Sequence, residues 1–119
     1  MRIKLVVLFF TLIASASSFA KYVTTLSGPG VEITKVFTHS NGAVSLYISG
    51  ETTNIDKCTS TFRVYIPHDL EGGQNLISAA LMAFASGKKI GLHASHCGTT
   101  TFWGGTVDVP IVDNLWVNK

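Results

Sequence analysis

The segment His93-Ala94-Ser95-His96-Cys97 holds the densest group of side chains that could bind a metal. Histidine and cysteine are good zinc ligands. The segment is predicted to be a strand, however, and positions 93 and 96 of a strand point to opposite faces of the sheet. The alternative is two surface histidines beside a disulfide. We therefore expect no metal and no other cofactor.

Side chains for hydrolysis occur in the chain, but they form no recognisable motif. A serine nucleophile needs a base and an orienting group, and no Gly-x-Ser-x-Gly sequence is present. The seven carboxylates are scattered and show no pairing of the kind that glycoside cleavage uses. We predict no catalytic residues and a non-enzymatic protein, with a small hydrolase or metal protein as the remote alternative.

Aromatic and polar side chains suited to a sugar ligand occur at several positions. An aromatic ring can lie against the face of a sugar while neighbouring polar groups bind its hydroxyls. The candidate ligand-binding residues are Tyr47, Arg63, Tyr65, Thr100 and Trp103. The alternative is that these side chains pack in a core or an interface, because tyrosine and tryptophan suit half-buried sheet surfaces.

The elements that would position these side chains are organised around a helix within Gln74–Cys97. Leu76–Ala85 is rich in alanine, leucine and methionine, which favour helix. Asn75 is the expected N-cap, and Gly87 fits the left-handed position after the last helical residue. The sequence therefore predicts a helix that ends at a glycine and is followed by a strand.

This helix has no polar face of the kind that a surface helix shows. We expect either that a neighbouring subunit covers its outer side, or that its alanines form the outer face and expose little area. The first alternative predicts a homo-oligomer. Its expected interface residues are Leu76, Ile77, Leu81, Met82 and Phe84.

The first twenty residues have the pattern of an export signal. Arg2 and Lys4 precede an apolar segment of about ten residues, Leu5–Ala14. An uncleaved membrane anchor is the weaker interpretation, because that segment is too short to span a bilayer. We predict a signal peptide over residues 1–20, a single domain over residues 21–119, and a secreted or periplasmic protein without a membrane span.

Charge limits the partners of the mature chain. Because Arg2 and Lys4 belong to the signal, the remaining chain has seven basic and seven acidic residues. A neutral domain without a basic stripe is a poor candidate for binding nucleic acid or an anionic lipid surface. We therefore expect neither.

Two cysteines, Cys58 and Cys97, remain after signal removal. An even number of cysteines in a small exported domain predicts a disulfide. The alternatives are a reactive thiol and a metal ligand.

The rest of the chain predicts strands. Asn41-Gly42 marks a tight hairpin turn, residues 21–30 form a loosely tied arm, and Phe62, Val64 and Ile66 point inward from the third strand. The expected strands are Val31–Thr38, Ala43–Ser49, Thr59–Ile66 and Lys89–Ser95, with one or two more from Thr101–Val109 and Ile111–Val117, broken near Gly104-Gly105 and Pro110.

The helix between the third and fourth of these strands predicts the fold class. It is the connection found in five-stranded OB-type barrels. We predict an α+β domain, namely a small OB-like antiparallel barrel or sheet with one buried helix. The alternative is a plain antiparallel sheet with one covering helix.

A framework pattern within Val44–Cys97 resembles a known family. It consists of Cys58-x-x-x-Phe-x-Val-x-Ile-Pro, a helix ending in ALMAFASGKK, and then Ile-x-Leu and Cys97. The pattern resembles a family of short secreted bacterial proteins, which in turn are similar to the B subunits of subtilase-cytotoxin-type AB5 toxins. The resemblance implies an OB fold, a homopentamer with its helices near the central axis, and binding of cell-surface glycans. No glycan-contact motif of those subunits is matched here, so none of their residues is carried over.

Overall fold

The structure is a computed structural model that describes residues 21–53, 58–60, 62–102 and 105–119. Of residues 21–22, 100–102 and 105–107 it describes the backbone only. The expected signal peptide lies outside the described residues. The elements are strands β1 (Lys21–Tyr22), β2 (Glu32–Thr38), β3 (Val44–Ser49) and β4 (Arg63–Ile66), helix α1 (Gly73–Ser86), and strands β5 (Ile90–Phe102) and β6 (Gly105–Val117).

The strands form one sheet in the order β1-β5-β6-β4-β3-β2. Neighbouring strands are antiparallel except β4 and β6, which run parallel where Tyr65 lies opposite Ile111. Val31, just before β2, bridges to Ile90 at the start of β5 through two hydrogen bonds of 2.8 Å each. The α+β class is therefore confirmed. The expectation of a purely antiparallel sheet is wrong, because the chain runs through β5 in the direction opposite to β4 and the β5–β6 hairpin reverses it again, so that β6 runs parallel to its neighbour β4.

The β2–β3 hairpin turns where the sequence predicts it. The Gly42 N–H donates to the His39 carbonyl (3.0 Å), and the His39 N–H donates to the Ala43 carbonyl (2.9 Å). Gly42 has a φ of 96°, and the Asn41 side-chain oxygen accepts a hydrogen bond from the Ala43 N–H (2.9 Å). The turn is thus a three-residue loop with glycine in its third position, a common hairpin form.

Helix α1 starts earlier than its sequence predicts. Its N-cap is Gly72 with no side-chain hydrogen bond, so the expectation of Asn75 as N-cap is wrong. Asn75 lies inside the first turn, where its N–H donates to the Gly72 carbonyl (3.0 Å). The expected end is confirmed: Gly87 has a φ of 72°, and the Lys88 N–H donates to the Ala83 carbonyl (2.9 Å), a glycine-terminated helix end.

The helix packs its small residues inward and exposes its large ones. Ala80 and Ala83 are fully buried against the sheet, whereas Leu81, Met82 and Phe84 are 45%, 53% and 45% exposed. Within the single chain the helix is buried on one side only, so the alternative in which alanines form the outer face is wrong. That a neighbouring subunit covers the outer side and so buries the helix stays a prediction. Small residues face inward because they let the helix axis approach the sheet closely.

The expected interface residues of this helix fall into two groups. The side chains of Leu76 and Ile77 are partly buried and pack against the core of the same chain. Leu81, Met82 and Phe84 lie on the exposed side. Among the described residues, no helix is long and apolar enough to cross a membrane.

The core lies between helix and sheet and follows the period-two pattern of the strands. Val44, Leu46 and Ile48 of β3 are buried as expected, but Phe62 is 53% exposed, so its expected inward position is wrong. Phe62 lies before the first residue of β4, where strand alternation no longer applies. The buried core residues include Val31, Ile33, Leu46, Val64, Ile66, Ala80, Ala83, Ile90, Leu92 and Val112.

Strands β5 and β6 form a hairpin, and each strand has 13 residues, more than any strand that the sequence predicts. They pair from Ile90–Val117 to Phe102–Gly105, and β6 continues through Pro110. The expected break at Pro110 is therefore wrong. Proline cannot donate to a ladder, but Pro110 lies opposite Cys97, one pair beyond a register shift at Ala94/His96, where the ladder is already irregular.

Two connections tie the chain around this hairpin. Cys58 and Cys97 form the expected disulfide, with a Cα–Cα distance of 5.6 Å. The segment before β2 is not the loosely tied arm that we expected, because the N–H groups of Val23 and Thr24 both donate to the Leu92 carbonyl, at 2.9 and 3.2 Å. Leu92 in turn donates its N–H to Thr24 Oγ1 (3.0 Å).

Candidate functional site

Two predicted ligand-binding residues, Tyr47 and Arg63, lie opposite each other on the outer face of the sheet. The Arg63 guanidinium carbon lies 5.6 Å from the centre of the Tyr47 ring and 4.9 Å from the centre of the Phe62 ring. The Lys35 ammonium group lies 4.9 Å from the same tyrosine ring. These geometries are cation–π contacts, so cations of this chain already engage the Tyr47 ring.

Tyr65 lies on the same outer face beside a second aromatic cluster. The His39 ring is 5.4 Å from Tyr65 and 4.9 Å from Phe37, and His39 Nε2 lies 2.7 Å from the Ser45 hydroxyl. Burial disfavours the charged imidazolium and lowers the pKa of His39 below its usual value. The cluster therefore favours a neutral histidine at neutral pH.

The other two predicted ligand-binding residues are not placed near these clusters. Thr100 belongs to β5, but only the backbone of Thr100 is described, and Trp103 lies outside the described residues.

The two histidines of the metal hypothesis have separate partners. His93 Nδ1 lies 2.8 Å from a carboxylate oxygen of Asp113 on β6, and His96 Nδ1 lies 2.7 Å from the Ser95 hydroxyl. Within the part of the chain that the structure describes, no three metal-binding side chains come together. His93 is instead held in a hydrogen-bonded pair across the β5–β6 ladder.

A cavity of about 280 Å³ lies where the segment before β2 meets the loop after β3. We call it the threonine cavity. Its polar side chains come from three segments that are far apart in the chain: Thr24, Thr25, Glu51, Thr52, Thr53 and Lys89.

Hydrogen bonds to the backbone fix two walls of the threonine cavity. The Thr53 N–H donates to the Val23 carbonyl (2.7 Å), which joins the loop after β3 to the segment before β2. Thr24 is buried and bonded to Leu92 of β5. Gly30 lines the cavity with a φ of 86°, and a Cβ there would overlap the Ile90 carbonyl, so only glycine allows this close approach.

Two oppositely charged residues line the threonine cavity and could both bind a ligand. Glu51 and Lys89 both line it and are exposed, yet within the described residues they form no ion pair with each other. A carboxylate accepts hydrogen bonds, an ammonium group donates them, and threonine hydroxyls do both. This set of groups can bind a ligand that carries several hydroxyls.

Sequence reasoning missed all of the polar residues of this cavity. The only local signals are two pairs of adjacent threonines, Thr24-Thr25 and Thr52-Thr53. Neither pair forms a motif, and only the fold brings them together.

Comparisons with known proteins give no relative. No protein-family model, no curated protein and no solved structure matches this chain.

Proposed function

We propose that this protein is an exported, non-enzymatic module that binds glycans in the threonine cavity. The observation that carries the proposal is the cavity itself, a space of about 280 Å³ that Glu51 and Lys89 both line without an ion pair between them in the described part of the chain. Sugars are recognised by dense hydrogen bonding to such groups. The resemblance of the Cys58–Cys97 framework to toxin B subunits supports the same class of ligand.

We further propose that the sheet is an OB-like barrel. Three observations support this: the strand order, the parallel β4–β6 pair, and the two Val31–Ile90 hydrogen bonds, which join the start of edge strand β2 to β5, the second strand from the other end of the order. Barrels of this kind bind oligosaccharides and oligonucleotides. The neutral charge of the mature chain favours a saccharide over a nucleic acid.

The cavity is a better first site than the outer sheet face. On that face the Tyr47 ring already contacts Lys35 and Arg63, so a sugar would have to displace a cation. The predicted residues Tyr47, Arg63 and Tyr65 remain the second candidate position.

A glycan array tests the proposal with the oxidised chain from Lys21 onward, displayed multivalently because weak sites gain from avidity. For any glycan that binds, Glu51→Gln should weaken binding about tenfold or more, since a hydrogen bond to a charged group contributes ~1.5–3 kcal/mol. Glu32→Gln is the matched control, because Glu32 is exposed on β2 and does not line the cavity.

The outcomes separate the candidates. If Tyr47→Ala abolishes binding and Glu51→Gln does not, the site is on the sheet face. If the wild-type chain binds nothing on a broad array, the glycan proposal is wrong. A secreted or periplasmic structural or interaction protein without a sugar site would then be the better description.

We also propose self-association through the exposed helix side, with a pentamer as the expected assembly. Leu81, Met82 and Phe84 form an apolar surface on a helix without charged residues, and such surfaces favour association. Light scattering should give a multimer for the wild type and a monomer for Leu81→Lys/Phe84→Lys. Leu26→Lys, which changes an apolar residue that is 64% exposed elsewhere, should leave the mass unchanged. A monomeric wild type would refute the proposal.

The export proposal rests on the first twenty residues and on the Cys58–Cys97 disulfide, which suits an oxidising compartment. Intact mass of the chain recovered from a bacterial periplasm or medium should correspond to a start at Lys21. An unprocessed mass in the cytoplasm would contradict it.

A further inference from the structure

A second concavity, of about 570 Å³, lies next to the threonine cavity. We call it the lysine concavity. Pro29 and Lys89 line both spaces, so the two are neighbours across one short segment. The lysine concavity is lined by Gly28, Pro29, Gly87, Lys88, Lys89, Asn118 and Lys119, and none of these described residues has an acidic side chain.

Its lysines come from two ends of the fold. Lys88 and Lys89 follow the end of α1, where the helix dipole favours cations, so their position alone has a structural explanation. Lys119 arrives from the end of β6, and the Asn118 N–H donates to the Lys89 carbonyl (2.8 Å), which fixes the two segments side by side. Three lysines from two segments line this one concavity, which is more than the helix end alone requires.

Hydrogen bonds fix the position of the wall between the threonine cavity and the lysine concavity. The Asn118 side-chain amide donates to the Pro29 carbonyl (3.0 Å). Next to it, Gly30 packs on the Ile90 carbonyl, and Val31 and Ile90 exchange their two hydrogen bonds. A ligand that spans both spaces would therefore meet a preformed surface, which lowers the entropic cost of binding.

We propose that the lysine concavity is a second subsite that binds a negatively charged substituent, such as a sulfate ester, on a sugar unit adjacent to the one in the threonine cavity. Ammonium groups bind such anions as point charges. This inference rests on the proposed glycan function and narrows its ligand to an anionic oligosaccharide of at least two units.

The test uses matched oligosaccharide pairs that differ by one sulfate: lactose, N-acetyllactosamine and a chondroitin disaccharide, each with and without it. We expect the sulfated member to bind more tightly. Lys88→Gln and Lys119→Gln should each weaken that member about two- to fivefold, as expected for exposed ion pairs, and leave the unsulfated member unchanged. Lys35→Gln, the same change on the outer sheet face, is the control and should have no effect.

Two further measurements separate this inference from the proposal on which it rests. Glu51→Gln should weaken both members of a pair, because it acts in the threonine cavity. Inorganic sulfate, titrated into isotope-labelled protein against sodium chloride of equal ionic strength, should shift the amide signals of Gly87, Lys88 and Lys119 and spare those of Glu51 and Thr52.

Each outcome is decisive. Equal affinity for both members of every pair that binds, or an unchanged preference for sulfate in Lys88→Gln/Lys119→Gln, overturns the anion subsite while leaving glycan binding intact. If no sugar binds but inorganic sulfate shifts the lysine-concavity amides, the glycan function fails and the anion site stands. If neither sugar nor sulfate binds, both are wrong.

Discussion

Removal of the Cys58–Cys97 disulfide should destabilise the protein by about 4 kcal/mol. The bridge joins residues 39 positions apart. For a loop of about 40 residues, the loop-closure relation gives an unfolded-state entropy change of roughly 13 cal/mol/K, or about 4 kcal/mol at 25 °C. Domains of this size are stable by only ~5–15 kcal/mol, so the loss is a large share of the total.

The position of the bridge predicts where the effect is strongest. The disulfide fixes the short segment before β4 to the middle of β5, and the Ser60 N–H donates to the Asp108 carbonyl of β6 (3.1 Å) beside it. The β5–β6 hairpin beyond Cys97 depends on this connection, because Pro110 opposite Cys97 supplies no N–H to the ladder. Hydrogen exchange in the variant should therefore increase most from Gly98 onward.

The assay is urea unfolding of the chain from Lys21 onward. Cys58→Ala/Cys97→Ala, and the wild type in reductant, should both lose about 4 kcal/mol. The double-alanine variant should not respond further to reductant, which controls for effects of the reagent. A loss below about 1 kcal/mol by both routes would refute the loop-closure reasoning, since the disulfide would then constrain an unfolded chain that is already compact.

Three further perturbations test the packing. Gly91→Ala should destabilise the protein by roughly 1–3 kcal/mol, because a Cβ at Gly91 would overlap the Trp116 ring on the facing strand. Thermal unfolding measures this loss, and an unchanged midpoint would contradict the prediction. Leu46→Ala should cost about 2–5 kcal/mol because Leu46 is fully buried, whereas Leu26→Ala at an exposed site should change little in the same urea assay. The free energy of unfolding should fall as pH drops below about 6.5, because the pKa of His39 is lowered in the folded state and the unfolded state therefore binds a proton first. The loss is complete below the folded-state pKa. His39→Gln should flatten this part of a profile of urea midpoint against pH, and an identical slope in the variant would exclude His39 as its source.

Local patterns in the sequence predicted those features that local physics determines. Asn41-Gly42 predicted the hairpin because a turn needs a positive φ, which Gly42 adopts. Gly87 predicted the helix end for the same reason. The disulfide was predicted from the small number of cysteines and the expected export signal, without reference to the fold.

The errors arose where tertiary structure overrides a local rule. Pro110 predicted a strand break, but it lies where register shifts already disturb the β5–β6 ladder. Phe62 was assigned to the core by alternation, yet β4 begins one residue later and the Phe62 ring packs under Arg63 instead. Asn75 is a good cap by type, but the helix starts one turn earlier, at Gly72.

The candidate site could not be predicted, because it results from how the start of edge strand β2 meets β5, which is far from β2 in the strand order. Val31 and Ile90 exchange hydrogen bonds across that junction, which brings the residues before β2 beside the start of β5. The Thr53–Val23 hydrogen bond then closes the loop after β3 over the same place. Each wall of the threonine cavity is therefore a connection between strands, and connections are where sequence patterns carry least information.

This origin also explains why the two subsites are adjacent. Lys89 is the last residue before β5, so it lies at the Val31–Ile90 junction and reaches both the threonine cavity and the lysine concavity. Lys88 and Lys119 are brought there by the helix end and by the Asn118–Lys89 hydrogen bond. A change that opens the junction, such as Gly30→Ala, should therefore impair both subsites together, whereas Glu51→Gln and Lys119→Gln should impair one each. Separate loss of the subsites in Gly30→Ala would mean that the junction does not couple them.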